Sequence, residues 1–241
     1  DEDTVNNLQV PSLSAGRMPE YLKANRLAVE NIKDKPVLSG CIGPFSLAGR
    51  LYDMSEIMVG IYIEPDVIKT LLDKCTAYIT AYCRELKAIG ATGVIMAEPA
   101  AGLLSNEDCQ EYSTVYVRQI VEAVQDEDFT VILHNCGNRG QCTQAMIDSG
   151  AAALHFGNAV DMVETLEQCP SDLIVMGNID PVGILKQATS EEVYRATADL
   201  LSKTSQYKNF VISSGCDMPP LVPDANIKAF YQAIADFNKG R

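Results

Sequence analysis

The chain of 241 residues carries 32 acidic against 19 basic side chains, a formal charge of -13, with 47% hydrophobic and 21% charged residues. This composition excludes a disordered chain and is enough for a substantial core. With no cluster of Lys or Arg, it also argues against nucleic acid or an anionic membrane as the main partner. We expect no membrane span, since no apolar run approaches the roughly 20 residues one needs, and no signal peptide.

Asp1 to Pro11 is polar and is expected to be extended; without a Met at its head, the chain is expected to be a fragment or a processed product. Gly16 to Ile32 reads as a helix, Pro36 to Cys41 as a short buried strand, and Gly43-Pro44-Phe45 as a turn. Glu64-Pro65-Asp66 opens a long helix, proline being suited to a first turn. Its apolar stripe runs through Ile68, Leu71, Leu72, Cys75, Ile79, Tyr82, Cys83, Leu86 and Ile89 to a stop at Gly90.

From there strand and helix alternate regularly. Strands are expected at Val94 to Ala97, Phe129 to Leu133, Ala152 to Phe156, Leu173 to Met176 and Phe210 to Ser213. Between them lie helices from Ser105 to about Gln125, Gln141 to Ser149, Asp161 to Gln168, one opened by Asp180-Pro181, and one ending near Lys203. That last helix opens on Thr189-x-x-Glu192, a capping box. Asn226 to Phe237 is the final helix. Short apolar strands between amphipathic helices imply an α/β fold with a parallel sheet covered by helices, in one domain over residues 1–241. Six strands fit an open doubly wound sheet, or a (β/α)8 TIM barrel that is incomplete at its start.

The sequence has eight cysteines and two histidines. Scattered through helices and strands, the thiols point to a reducing cytoplasm. His134-Asn-Cys136 directly follows a strand, and residues two apart in an extended chain project to one side. Ser213-Ser-Gly-Cys216 also follows a strand, so both motifs lie at the carboxyl edge of the sheet. One imidazole and two thiolates select zinc over magnesium or calcium, and three protein ligands leave a position for substrate. Glu98, at another strand end, is a helix-capping or solvated acid, or else a fourth zinc ligand that leaves when substrate arrives or a partner that orients a ligand. His155 is a wall histidine or a hydrogen-bonding partner of substrate. Asn178 and Asp180, in Gly177-Asn-Ile-Asp-Pro181, are further candidates for substrate binding, Asp180 being also a good N-cap. The other cysteines read as packing.

Read together, Cys41-Ile-Gly-Pro-Phe-Ser-Leu-Ala-Gly-Arg-Leu51, Glu98-Pro99, Gly177-Asn-Ile-Asp-Pro181 and Ser214-Gly-Cys216 resemble the uroporphyrinogen decarboxylase superfamily. Within it, His134-x-Cys136 with the distant Cys216 resembles the zinc motif of the methylcobamide:coenzyme M methyltransferase branch. The resemblance implies a (β/α)8 barrel whose N-terminal unit is not in this chain, closed by elements elsewhere or by a second copy in a homo-oligomer. It further implies that zinc activates a small thiol such as coenzyme M, with His134, Cys136, Cys216 and Glu98 as catalytic residues. The thiol would take a methyl group from a methyl-corrinoid carried by a separate corrinoid protein. Two alternatives stay open, a decarboxylase-like lyase acting on a tetrapyrrole and a non-catalytic corrinoid- or zinc-binding relative.

Overall fold

The computed structural model describes residues 2–239. Its strands are β1 (Leu38–Ile42), β2 (Gly93–Ala97), β3 (Thr130–Asn135), β4 (Ala153–Phe156), β5 (Ile174–Ile179) and β6 (Phe210–Ser214). They form one parallel sheet in the order β1-β2-β3-β4-β5-β6, each strand paired with its neighbours in sequence. A doubly wound sheet reverses its strand order at a switch point; this one never does.

The sheet also curls. His155 on β4 reaches past β5 to hydrogen-bond distance of Ser213 and Ser214 on β6. In a flat sheet strands two apart lie about 10 Å from one another, so a single side chain bridges them only across a concave face. Sequential order, parallel pairing and curvature make the fold a partial (β/α)8 barrel.

The two faces differ in burial. Val94, Met96, Val131, Leu133, Leu154, Phe156 and Val175 point outward into the main core, against Ile79, Cys83, Leu86, Val117 and Ile120 of the helices. On the concave face, in-register rows run through Gly40, Ile95, Ile132, Ala153 and Ile174, and through Ala97, His134, His155, Met176 and Val211. Here Ile95 is 37%, Ile174 43% and Val211 43% exposed. An arc of six strands covers its convex side with helices and leaves the concave side open between β1 and β6.

The helices are α1 (Glu2–Asn7), α2 (Met18–Asn31), α3 (Pro44–Tyr52), α4 (Met54–Ile63), α5 (Pro65–Ala88), α6 (Asn106–Cys109), α7 (Val115–Val124), α8 (Thr143–Asp148), α9 (Met162–Gln168), α10 (Ser190–Lys203) and α11 (Asp224–Lys239). α10 carries the expected capping box. Three helices depart from the sequence reading. α1 occupies the stretch expected to be extended; Asp1 itself lies outside the described residues. Val5 is buried, and the Lys74 ammonium donates to the carbonyls of Val5, Asn6 and Leu8 at 2.6–2.8 Å, which favours a cation at the helix C-terminus. The expected turn at Gly43-Pro44-Phe45 is instead the start of α3, whose first N–H groups are answered by a carboxylate from another strand. α4 follows Asp53, whose side chain accepts from Ser55 N and Glu56 N. Among the described residues, no helix is long and apolar enough to cross a membrane.

Cys75, Cys83, Cys109, Cys142 and Cys169 are buried in apolar clusters. Burial pushes Cys75 up to about 12 and Cys169 up to about 11, so both stay protonated thiols at neutral pH. Packing accounts for them.

Candidate metal centre

Strand β3 delivers His134 to the concave face one position before the chain leaves the sheet. Asn135, pointing the other way, accepts from Gly137 N and Asn138 N at 3.0 Å each. Asn138 in turn accepts from Gly140 N at 2.8 Å and Cys142 N at 3.0 Å. These turns set the loop that presents Cys136. Gly157 permits the next loop to approach it: a Cβ there would stand 2.8 Å from Cys136 Cα and 3.0 Å from its carbonyl oxygen. Cys216 arrives from the end of β6.

One ligand atom from each of His134, Cys136 and Cys216 lies within 4.8 Å of the others. His134 and Cys216 belong to strands three apart, about 14 Å in a flat sheet, so the curl of the barrel creates the cluster. His134 is 6% exposed, and its Nε2 is buried without a hydrogen-bond partner. An unanswered buried polar atom is costly. With two cysteine sulfurs within 4.8 Å of a nitrogen of this ring, it is a donor suited to a metal ion. The donor set of one nitrogen and two sulfurs suits zinc. The residues therefore fit the ion that the sequence leads one to expect.

The electrostatics are consistent with ligation. Burial holds His134 below the ordinary histidine range, opposed by its hydrogen bond to the His155 carbonyl and by Asp217. His155 is pushed down to about 4 by burial and by the neighbouring His134. Both rings are neutral at neutral pH, as a ligating imidazole must be. Cys136 is pushed up to about 11, chiefly by burial and then by Cys216 beside it, with Asp217 adding to the effect. A cation at the cluster would have to displace that proton.

The remaining predicted residues do not join the cluster. Glu98 is 1% exposed and its carboxylate caps α3. Oε1 accepts from Phe45 N at 2.7 Å and from Ser113 Oγ at 3.3 Å, and Oε2 accepts from Ser46 N at 2.8 Å. Gly43 makes room, since a Cβ there would meet the Glu98 carboxyl carbon at 2.5 Å. Burial raises the Glu98 pKa and these hydrogen bonds oppose the rise. Of the roles open from the sequence, the observed contacts are those of the helix cap. Asn178 donates to the carbonyls of Gly157 at 3.0 Å and Val160 at 2.8 Å, and so fixes the loop beside Cys136. Asp180 accepts from Val182 N at 2.8 Å and Gly183 N at 2.9 Å, capping the short π-helix Pro181–Lys186 where the sequence predicts a helix opening. His155 stands against His134, with ring centroids 4.6 Å apart. Its Nδ1 is 2.6 Å from His134 Nδ1, and its Nε2 is 2.9 Å from the Ser214 carbonyl oxygen and 3.2 Å from Ser213 Oγ. Both ring nitrogens face protein groups, and of the two roles open from the sequence these contacts are those of the wall histidine.

The uroporphyrinogen decarboxylase (URO-D) family matches residues 1–237. The chain belongs to that family. A methylcobamide:CoM methyltransferase, MtbA, of Methanosarcina mazei is 28% identical over 240 residues, covering 98% of this chain and 68% of the relative. A uroporphyrinogen decarboxylase of Legionella pneumophila is 24% identical over 246 residues, covering 99% of this chain and 69% of the relative. Among solved structures, a methyltransferase from Methanosarcina mazei superposes with a TM-score of 0.88 at 22% identity, over 97% of this chain and 69% of that one. A B12-independent methionine synthase from Shewanella matches with a TM-score of 0.69 at 17% identity, over 91% of this chain and 67% of that one. These two likenesses confirm the barrel fold of this family member.

Sequence reasoning missed Asn135, Asn138, Ser213, Ser214 and Asp217. The first pair carries a legible signal, because Asn just before and just after a Cys-Gly step is turn chemistry. Ser214 acts through its backbone carbonyl, which no side-chain pattern reveals.

Proposed function

We propose that this chain holds zinc through His134, Cys136 and Cys216 and serves a methyl transfer from a methyl-corrinoid to a small thiol such as coenzyme M. The observation that carries the reading is the orphaned His134 Nε2 converging with two cysteine sulfurs at the carboxyl edge of the sheet. The 28% identity to a methylcobamide:CoM methyltransferase supports it further.

Bound zinc would supply Lewis acidity, which holds an incoming thiol as its thiolate at neutral pH. The chain's own residues prepare the place. His134, buried and neutral, contributes a nitrogen without charge. Cys136 and Cys216, each only partly buried, contribute thiolates that together offset the charge of a divalent ion, which keeps an incoming sulfur nucleophilic. All three ligands sit at the carboxyl ends of their strands, and a corrinoid protein would have to dock at that edge. In the overall reaction the thiol loses its proton to solvent and its sulfur takes the methyl group. The pair of the cobalt–carbon bond remains on cobalt.

Methylcobalamin and coenzyme M mixed with the zinc-loaded protein test the proposal, followed by loss of methyl-cobalt absorbance. The expected result is turnover that disappears in Cys216→Ala. Absence of turnover in the zinc-loaded protein, or turnover unchanged in Cys216→Ala, contradicts it; release of carbon dioxide from uroporphyrinogen would favour a lyase.

A further inference from the structure

The paired imidazoles carry an inference about how the metal ligand is prepared, resting on the zinc reading above. A backbone carbonyl only accepts hydrogen bonds. His155 Nε2, 2.9 Å from the Ser214 carbonyl oxygen, therefore bears a proton. A neutral imidazole has one N–H, so His155 Nδ1 is left with a lone pair. His134 Nδ1 stands 2.6 Å from it, a separation that admits one proton between the two nitrogens. That proton sits on His134 Nδ1, which also faces the His155 carbonyl oxygen at 3.3 Å. His134 Nε2 then has no proton and presents a bare lone pair, at the atom that is buried and otherwise unanswered.

The opposite tautomer fails on two counts. It would set two lone pairs against each other at 2.6 Å, and it would bury an Nε2–H with no acceptor. We propose that His155, anchored by the Ser214 carbonyl, is a positioning residue that fixes the tautomer of His134 and aims its Nε2 lone pair at the metal site.

Ligating histidines are commonly oriented by a carboxylate, a carbonyl or water. An imidazole in that place orients the ring without adding negative charge beside two thiolates and Asp217. It also ties the two ligand-bearing strand ends together. The relay begins at Ser214, two residues before Cys216 on the β6 side, crosses β4 at His155, and ends on β3.

The chain has two histidines, so histidine labelled with nitrogen-15 gives a spectrum of only these rings. Long-range nitrogen–proton correlation on the metal-free protein is expected to show His134 protonated at Nδ1 and His155 at Nε2. His134 protonated at Nε2 overturns the proposal. Two variants give an independent arm. His155→Gln can still accept from His134 Nδ1 and donate to the Ser214 carbonyl, whereas His155→Phe can do neither. Zinc affinity, by competition with a chelator, is expected to fall about 10- to 100-fold in His155→Phe and to recover largely in His155→Gln. Equal affinity in wild type and His155→Phe contradicts the proposal. Should His155→Phe fail to fold by circular dichroism, the wild-type spectrum decides alone. The two readings fail separately. A correct tautomer without zinc binding would defeat the zinc assignment, and zinc binding with the wrong tautomer would defeat the relay.

Discussion

The ends of β2 and β3 lie side by side, and each carries a buried ionisable side chain, Glu98 at 1% and His134 at 6% exposure. Glu98 is answered in full by Phe45 N, Ser46 N and Ser113 Oγ. His134 is answered on one nitrogen, the other has no partner, and two cysteine sulfurs lie within 4.8 Å of the ring's ligand atom. The contrast teaches that burial at a strand's carboxyl end does not by itself make a ligand. What separates a structural polar group from a metal ligand is a leftover valence, aimed at other donors.

The widest break in that comparison comes from removing ligands. His134→Ala and Cys216→Ala are each expected to take zinc binding from one ion per chain to none, measured by metal analysis after dialysis. Glu98→Ala is expected to leave zinc stoichiometry untouched and to cost stability. Two buried backbone donors at the start of α3 lose their acceptor, at about 1–3 kcal/mol each, read as a drop in denaturant midpoint. Loss of zinc in Glu98→Ala would move Glu98 back among the ligands.

The pH dependence sharpens the same contrast. Cys136, held up to about 11, is protonated in the free site at neutral pH and must lose that proton to bind a cation. Zinc affinity therefore rises with pH, about tenfold per unit for each proton displaced, up to the Cys136 value, and is lost as pH falls. A chelator titration at several pH values checks the slope; a flat profile contradicts the account. The smallest effect belongs to Asp180→Ala. It removes a cap from the turn after β5, costing about 1 kcal/mol, with zinc affinity unchanged.

Much of this was legible in the sequence, for identifiable reasons. Strands such as Phe129 to Leu133 announce themselves by apolar runs between helices, and their regular alternation yields a parallel sheet. His134-x-Cys136 is legible because two residues in an extended chain share a side, and Cys216 because its motif ends another strand. The choice between an open sheet and a barrel was not readable from periodicity, since curvature is a property of how strands pair. α1 and α3 were missed because what stabilises them lies far along the chain, in Lys74 and Glu98. The pairing of His155 with His134 depends on β3–β4 register, which single-strand patterns do not carry.

Zinc K-edge X-ray absorption on the zinc-loaded wild type and Glu98→Ala tests the central claim most directly. The same spectrum is expected in both, with two sulfurs at about 2.3 Å and one nitrogen at about 2.0–2.1 Å. Fewer than two sulfurs in the wild type, or an oxygen that disappears in Glu98→Ala, would contradict it.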